Sequence, residues 1–573
     1  MSEDAFADHP RVGSHPAPGR LNPSRSVLVI VSAFLIALLG SLPLLSRYHF
    51  DEGWYTNAAI EMVRTGDYLT PRYADGSARF RKPIVTYWVL VASYTTMGIG
   101  LVASRLPFLL AGCIVLWVTY RIGCSATGDS HRGVAAVAIL ASNIEFMESA
   151  TKSTPDMLQC LFLTLSIWGA VEIIFQQRYE SRWYALLYVG AGLAIATKGF
   201  LAVILLLFVW GCTRFVPMTT SGTRRIMHWG WLSAGVVIAL SWFIGSFLSQ
   251  GTSAISTMFD DQIGERLEGA QAFILTNVLL YLLTPFRFFA PWIVLLVMAV
   301  LTQRDFLFQY IRRRKPLVWF VLGWFLVNVI LFSLGNLMRS RYLLPTYPLL
   351  AVLLADMLMQ NLQSSSFFHA TTRTIRGLML TAMGLGLVVA AIGWRLDPQI
   401  LLGSVLFAGV TGLLYLAAFR GPVLAVFVAL SLTVIAAFAT LEQFIKPAVI
   451  TSPARAITHR LLELQPVPQP IAAVDVRPSL VNQIRLLSGG HLVVQEFRHD
   501  VTSETLQQFS VILGSERTRE ALAGSNYYLI EQCGAAYGPP KLAAIWEWII
   551  TGEKPPAAVA DRTAYYLIRH GAG

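Results

Sequence analysis

Charge is what this sequence has least of: Asp, Glu, Lys and Arg make up 13% of its 573 residues, about half the ~25% usual in soluble globular domains. A chain this poor in charge and 55% hydrophobic, with a mean hydropathy of +0.56, cannot build a wetted surface over its whole length. It needs an apolar solvent. Cysteine is scarce as well. Cys113, Cys124, Cys160, Cys212 and Cys533 are scattered, without a C-x-x-C pair or a Cys/His cluster at zinc-ligand spacing, which argues against a disulfide framework or a structural zinc site. No cofactor is expected, and the ligand spacing gives a divalent metal no support. Ionisable groups are also nearly missing from the middle of the apolar runs, where a transport path would want them. No internal repeat of fixed period is evident.

What the chain does have is long apolar runs. One covers Val27–Leu45, and others follow at 101–122, 133–150, 156–177, 183–197, 199–216, 229–249, 275–301, 316–335, 342–361, 376–394, 399–419 and 421–441. Each is near the ~20 residues that cross a hydrocarbon layer as a helix, so the expectation is a polytopic α-helical membrane protein with about 13 transmembrane helices. Val27–Leu45 has no small-residue cleavage site just after it and reads as an uncleaved anchor. Ile84–Gly98 is apolar too, but short, and it carries Tyr87, Trp88 and Tyr94, residues that favour the membrane interface. If it lies flat on the outer surface, the Arg-rich segments 121–132, 178–182, 214–225, 304–315 and 373–376 all fall on one side, as the positive-inside bias requires. If it crossed, they would all face outward. The net charge of +11 is then a matter of topology, and nucleic acid is not an expected partner.

These choices place the protein in the cytoplasmic (inner) membrane as a multi-pass protein with a cytoplasmic N-terminus. Residues 1–26, rich in Pro, Gly and Ser, read as a disordered cytoplasmic tail. Residues 27–441 form the transmembrane domain, with 47–100 an outer loop carrying interfacial helices. Residues 442–573 read as a small soluble α/β domain on the extracytoplasmic, periplasmic side. In it Ile471–Val476, Leu492–Phe497 and Tyr527–Glu531 are strand-like and Ser503–Leu513 is helix-like.

Polar residues gather at the outer ends of the spans. Asp51 and Glu52 follow the first span, where a carboxylate near the interface can serve as a general base toward a hydroxyl. Adjacent residues point in different directions, so one of the two at most is expected in that role, and both could instead be solvated loop charges. Arg64, Arg72, Arg79, Arg81 and Lys82 load the same loop with positive charge on the side that should be poor in it; either an anionic partner such as phosphate or simple interfacial anchoring accounts for them. Asp156 starts a span behind Pro155, a place where an acid is either functional or ordinary helix N-terminal chemistry. Glu145 and Glu148 are weaker candidates for the same cavity. Lys198 could pair with phosphate or snorkel. The outer loop 250–275 holds Asp260, Asp261, Glu265, Arg266 and Glu268, and a further one reads Arg339-Ser-Arg341-Tyr342-Leu-Leu-Pro345.

At these residues the sequence resembles the aminoarabinose-transferase and protein-mannosyltransferase-related glycosyltransferases of the GT-C fold. The matching pieces are Asp51-Glu52 with Tyr55, Gly66-Asp67-Tyr-Leu-Thr-Pro71-Arg72, Arg81-Lys82-Pro83 with Tyr87-Trp88, Ser104-Arg105-Leu-Pro107, Asp156-Met157, Thr197-Lys198-Gly199 and Arg341-Tyr342-Leu-Leu-Pro345, in order through about residues 27–350. The resemblance implies a cell-envelope enzyme that moves a sugar from a polyprenyl-phosphate donor to a lipid, glycan or protein acceptor on the outer face, with inversion. It implies Asp51 as base, with Asp156 and Glu52 as further catalytic candidates. Lys82, Arg266, Tyr342, Lys198 and Arg81 would hold the donor phosphate, and Tyr55, Trp54, Tyr87 and Arg341 would line the substrate cavity. Two departures stand against a bound metal: Arg81 occupies a position where aminoarabinose transferases usually have Glu, and loop 250–275 lacks the His they tend to carry. Trp54 stands where they have Arg, so the sugar or acceptor differs from theirs on this reading. The rival expectations are a polyprenyl-linked-sugar flippase or transporter, which wants mid-span charge, and a structural subunit, which leaves the charged outer loops without a purpose.

Overall fold

The computed structural model describes residues 22–73, 76–215, 226–251, 274–303, 305–335, 338–362, 365–419, 421–450, 452–464, 469–497, 503–522, 527–536 and 563–570. Most of the expected tail (residues 1–21), loop 252–273 and most of the Arg-rich segment 214–225 lie outside the described residues. Helix α1 (Pro23–Leu39) begins before the apolar run, because Pro23 costs nothing at the first helical position and Asn22 Oδ1 accepts from Ser24 N at 3.0 Å. The expected tail is therefore helical from Pro23 onward.

The segment after the first span holds α2 (Phe50–Thr65) and α3 (Val85–Met97). Then come α4 (Leu101–Thr127), α5 (Ser130–Ala141), α6 (Ile144–Ala150), α7 (Pro155–Ile174), α8 (Ser181–Lys198), α9 (Leu201–Phe215) and α10 (Trp229–Gln250). The second half holds α11 (Ile274–Phe288), α12 (Trp292–Thr302), α13 (Lys315–Ser333), α14 (Tyr347–Asn361), α15 (Ser365–Leu396), α16 (Pro398–Phe419) and α17 (Val423–Thr440). Among the described residues eight helices are long and apolar enough to cross a membrane, or up to ten if each of two bent pairs is one span. The pairs are α5 with α6, bent by 71°, and α11 with α12, bent by 98°. Each of the thirteen runs expected from sequence falls on one of these helices, on a bent pair, or on α1, α8 or α9. Helix α3 has 13 residues, about 20 Å of rise, which is short of the ~30 Å of a hydrocarbon core.

Helices α7 and α14 are the most enclosed spans and α10 and α15 the most exposed, so the bundle is organised around the pair that carries Asp156 and follows Tyr342. At the Arg-rich end of the bundle, fully buried Asp356 of α14 accepts from Tyr310 Oη at 2.7 Å and pairs with Arg314 at 3.3 Å and with Arg132. Two Arg-rich segments are thereby fastened to one helix.

The C-terminal part is a five-stranded mixed sheet in the order β2-β1-β3-β5-β4, with β1 (Ile471–Val474), β2 (Val494–Phe497), β3 (Val511–Gly514), β4 (Tyr527–Ala536) and β5 (Thr563–His570). Strand β1 runs parallel to β2 and β3, and β5 is antiparallel to both β3 and β4. Helices α18 (Ala454–Leu464) and α19 (Pro478–Leu487) pack on it. The helix expected over Ser503–Leu513 is corrected: only Ser503–Leu506 is helical, and Val511–Gly514 is a buried strand. Its continuous apolar run suits a strand covered on both faces, and periodicity cannot tell that from a buried helical turn.

Helix α19 rests on α2. Asn482 lies against Gly53 and accepts from Asn57 Nδ2, which also donates to Gly53 O at 2.9 Å. Nearby, Gly490, at φ +81°, approaches Ile60 and Ile99 closely. The sheet domain is thus seated on the helix that carries Asp51.

Candidate functional site

Helix α2 begins in a capping box. His49 Nδ1 accepts from Asp51 N at 3.2 Å, and Glu52 Oε1 accepts from His49 N at 3.0 Å. This fixes Asp51 and Glu52 in the first turn, where the helix dipole favours acids, and one residue of helical rotation sends them to different places. Glu52 turns inward to Arg105: Arg105 Nε donates to Oε2 at 2.8 Å and a terminal nitrogen donates to Oε1 at 3.2 Å. The other terminal nitrogen of Arg105 donates to the carbonyls of Leu42 and Leu44, at 2.8 and 3.0 Å. Burial alone would raise the Glu52 carboxyl, but the charge and hydrogen bonds of Arg105 outweigh it and hold the group below its usual range. This carboxylate is fully engaged in tying α2 to the bundle.

Asp51 turns the other way. Its Oδ2 accepts from Arg339 at 3.2 Å and from Arg341, both brought in by the 3₁₀ segment Ser340–Thr346 and the residue before it. Arg341 reaches onward, with its Nε 3.8 Å from Asp156 Oδ2. Asp156 occupies the first turn of α7 behind Pro155, and its Oδ1 accepts from Lys198 Nζ at 2.5 Å. Lys198, the last residue of α8 before Gly199 at φ +103°, has its Nζ 4.8 Å from the centre of the Tyr342 ring. The described contacts therefore join Asp51, Arg341, Asp156, Lys198 and Tyr342 in one chain of alternating charge. Arg339 belongs to it as well.

One buried acid and two neighbouring groups complete that wall. Glu145 accepts from Ser340 Oγ at 2.7 Å, and the backbone N–H of Arg339 donates to Tyr281 Oη at 3.1 Å. His49 also faces the cluster. Burial first, then the charge of Lys152, lowers its ring pKa from 6.5, against an opposing pull from Asp51, so neutral His49 can accept from the Asp51 N–H.

Tyr55, one helical turn from Asp51 on the same face, opens a second group. Arg79, nearly fully buried, lies over four aromatic rings, with its guanidinium carbon 5.3 Å from Tyr55, 5.6 Å from Tyr73, 5.8 Å from Trp54 and 6.0 Å from Tyr87, each within cation–π range. Arg79 also donates to Tyr87 Oη. Burial, then Tyr87, pushes the Tyr55 hydroxyl well above its usual value, and the charges of Asp156 and Asp51 add to the shift. The Arg79 group and the Asp51 chain are therefore close enough to feel one another.

Of the remaining expected residues, Arg81 is exposed and Lys82 half-buried on the turn before α3, with Lys82 Nζ donating to Arg81 O at 3.1 Å. Arg266 lies outside the described residues. Arg339, Arg79 and Arg105 are the site and support residues that the sequence shows only within a basic loop or a matching motif, without a role of their own. An excess of Arg in the loops between spans is the available signal, but it does not say which Arg faces an acid. Among the described residues no group of three or more His, Cys, Asp or Glu is placed to hold a metal ion.

The family model for dolichyl-phosphate-mannose-protein mannosyltransferases matches residues 81–247. An uncharacterized protein of Aquifex aeolicus strain VF5 is 25% identical over 385 residues, covering 65% of this chain and 70% of that one. The undecaprenyl phosphate-alpha-4-amino-4-deoxy-L-arabinose arabinosyl transferase of Yersinia pestis strain Pestoides F is 25% identical over 407 residues, 67% of this chain and 71% of its own. The fold matches the crystal structure of ArnT from Cupriavidus metallidurans bound to undecaprenyl phosphate, with a TM-score of 0.67 at 17% identity over 95% of this chain and 98% of that one. The apo form of the same protein gives the same TM-score of 0.67. By fold and relatives together, the chain is a membrane glycosyltransferase of the GT-C fold, related to the aminoarabinose transferases and the protein mannosyltransferases.

Proposed function

We infer that the chain transfers a sugar from a polyprenyl-phosphate donor to a hydroxyl or phosphate acceptor at the outer face of the cytoplasmic membrane, with inversion, and that Asp51 is the base. The kind of reaction, a polyprenyl-phosphate-sugar-dependent glycosyl transfer, follows from the relatives. The residue assignments rest on one observation: Asp51 and Asp156, from helix starts more than a hundred residues apart, meet around Arg341, with Arg339 and Lys198 alongside. Acids and fixed cations are what such a displacement needs.

In the proposed step the acceptor oxygen attacks the sugar's anomeric carbon and gives its proton to Asp51. The bond from that carbon to the phosphate oxygen breaks, and the electron pair leaves with polyprenyl phosphate. Asp156, held by Lys198, shapes the sugar or acceptor site. Lys82, Arg81, Arg266 and Tyr342 are the proposed phosphate ligands, with Lys198 divided between the phosphate and Asp156, and Trp54, Tyr55 and Tyr87 wall the cavity around Arg79. Glu52 is assigned a positioning role on α2 through Arg105. The N-terminus is placed in the cytoplasm and the sheet domain outside, which sets the Asp51 cluster at the outer interface where a lipid donor presents its headgroup.

A donor-release assay tests this. Purified protein in nanodiscs is mixed with polyprenyl-phosphate sugars and an envelope extract, and free polyprenyl phosphate is followed by mass spectrometry beside Asp51→Asn. Release by the wild type and none by the variant is the expected result. Full activity in Asp51→Asn removes Asp51 from the base role. Binding of donors without release, across several extracts, favours the flippase reading instead.

A further inference from the structure

Asp51 is engaged by two arginines. One carboxylate oxygen, Oδ2, takes both guanidiniums, from Arg339 at 3.2 Å and from Arg341. These charge-assisted hydrogen bonds fix the carboxylate against the two arginines. The cations are not saturated. Three of them, Arg339, Arg341 and Lys198, face two carboxylates. Arg341 Nε is buried, lies too far from Asp156 at 3.8 Å to form a hydrogen bond, and has no hydrogen-bond partner among the described residues. The cluster thus holds an unused N–H donor, on Arg341, aimed between two acids. That donor fits one more anionic oxygen, and a guanidinium fork matches phosphate as well as it matches carboxylate.

We propose that Arg339 and Arg341 are shared between Asp51 and the donor's phosphate, and exchange one for the other during the reaction. This rests on the transferase reading above. The bound donor is a phosphodiester with a single negative charge; as its bond to the sugar breaks, the phosphate gains a second one. In the same step Asp51 takes the acceptor's proton and loses its charge. The arginines therefore keep the same total of negative charge beside them while their partner changes from carboxylate to phosphate, so the cost of parting them from Asp51 is met where charge develops on the leaving group.

The inference predicts that removing the carboxylate strengthens phosphate binding. Full-length protein in nanodiscs is titrated with polyprenyl phosphate, the reaction product, for wild type, Asp51→Asn, Arg339→Gln and Arg339→Lys. Asp51→Asn is expected to bind about tenfold tighter than wild type, and Arg339→Gln about tenfold weaker, each equivalent to about 1.4 kcal/mol, with Arg339→Lys between. A purely structural role for the ion pairs would not make Asp51→Asn bind more tightly. Equal or weaker binding by Asp51→Asn, in a protein whose wild type both binds and transfers, overturns the exchange and leaves the transferase reading standing. No binding by the wild type at all overturns both.

Discussion

Glu52 and Arg105 form a two-point ion pair in which neither side chain reaches solvent, with nitrogen–oxygen distances of 2.8 and 3.2 Å. It joins the first turn of α2 to α4 and, through the Leu42 and Leu44 carbonyls, to the end of the first span. Breaking such a pair from one side leaves an uncompensated charge in a low-dielectric interior, which costs roughly 3–5 kcal/mol. Arg105→Met is therefore expected to lower the thermal midpoint and the yield of monodisperse protein sharply, and Glu52→Gln to do so less, since it removes the charge but keeps a hydrogen-bonding amide. Near-wild-type melting of Arg105→Met would show that α2 is anchored elsewhere.

The seat of the sheet domain can be tested at Gly53. A Cβ there would fall 2.1 Å from Asn482 Nδ2, 2.7 Å from Cγ and 2.9 Å from Cβ, so turning the amide aside does not clear the space. Gly53→Ala should destabilise by about 1–3 kcal/mol, as overpacking does, and should depress transfer because Asp51 lies in the same helical turn. Asn482→Ala removes the two closest atoms. The double variant should regain most of the lost stability, and additive losses would mean that the two residues do not meet.

His49 gives a dependence on pH with a definite sign. Its folded pKa lies below the ordinary 6.5, chiefly through burial and then Lys152. The native state thus resists the proton that the unfolded chain accepts. The associated stability is complete above 6.5 and is lost as pH falls through that value toward the folded pKa. Protonation also removes the acceptor that caps Asp51 N. The Glu52 carboxyl, held below 4.5 by Arg105 against its burial, gives a loss of the same sign, but only under more acid conditions. Melting curves between about pH 5 and 8 should fall on the acid side in wild type. In His49→Asn, which keeps an acceptor but does not titrate, they should be flatter.

Much of this was legible in the sequence, for a physical reason: a span must satisfy its own backbone in lipid, so it announces itself as an apolar run. Asp51, Asp156, Lys198 and Arg341 were readable because charge at a span end is costly and therefore noticeable. Direction was not readable. Asp51 and Glu52 are neighbours with different surroundings, and only the placement of Arg105 tells them apart. Arg339 carried no mark separating it from an interfacial anchor. Strand β3 was hidden because a short, wholly buried run has no period to read. The pairing of Asn57 with Asn482 spans 425 residues, and no local pattern encodes a contact at that separation.

Lys198 stands between two duties, and kinetics can divide them. Its Nζ is 2.5 Å from Asp156 Oδ1 and 4.8 Å from the Tyr342 ring centre, so it either positions the acid or is held by it for the donor. If Lys198 serves the phosphate, Lys198→Ala should raise KM for the polyprenyl donor and leave kcat less affected, while Asp156→Asn lowers kcat. If its work is to orient Asp156, both variants should lower kcat alike, and the double variant should be no worse than either single one. That non-additivity would amount to about 0.5–3 kcal/mol of coupling, as for residues in one ion-paired network. The geometry favours the second outcome. The pair is short and nearly buried, whereas Arg341 beside it has the unused donor, so Lys198 is expected to act through Asp156 and to leave phosphate recognition chiefly to the arginines.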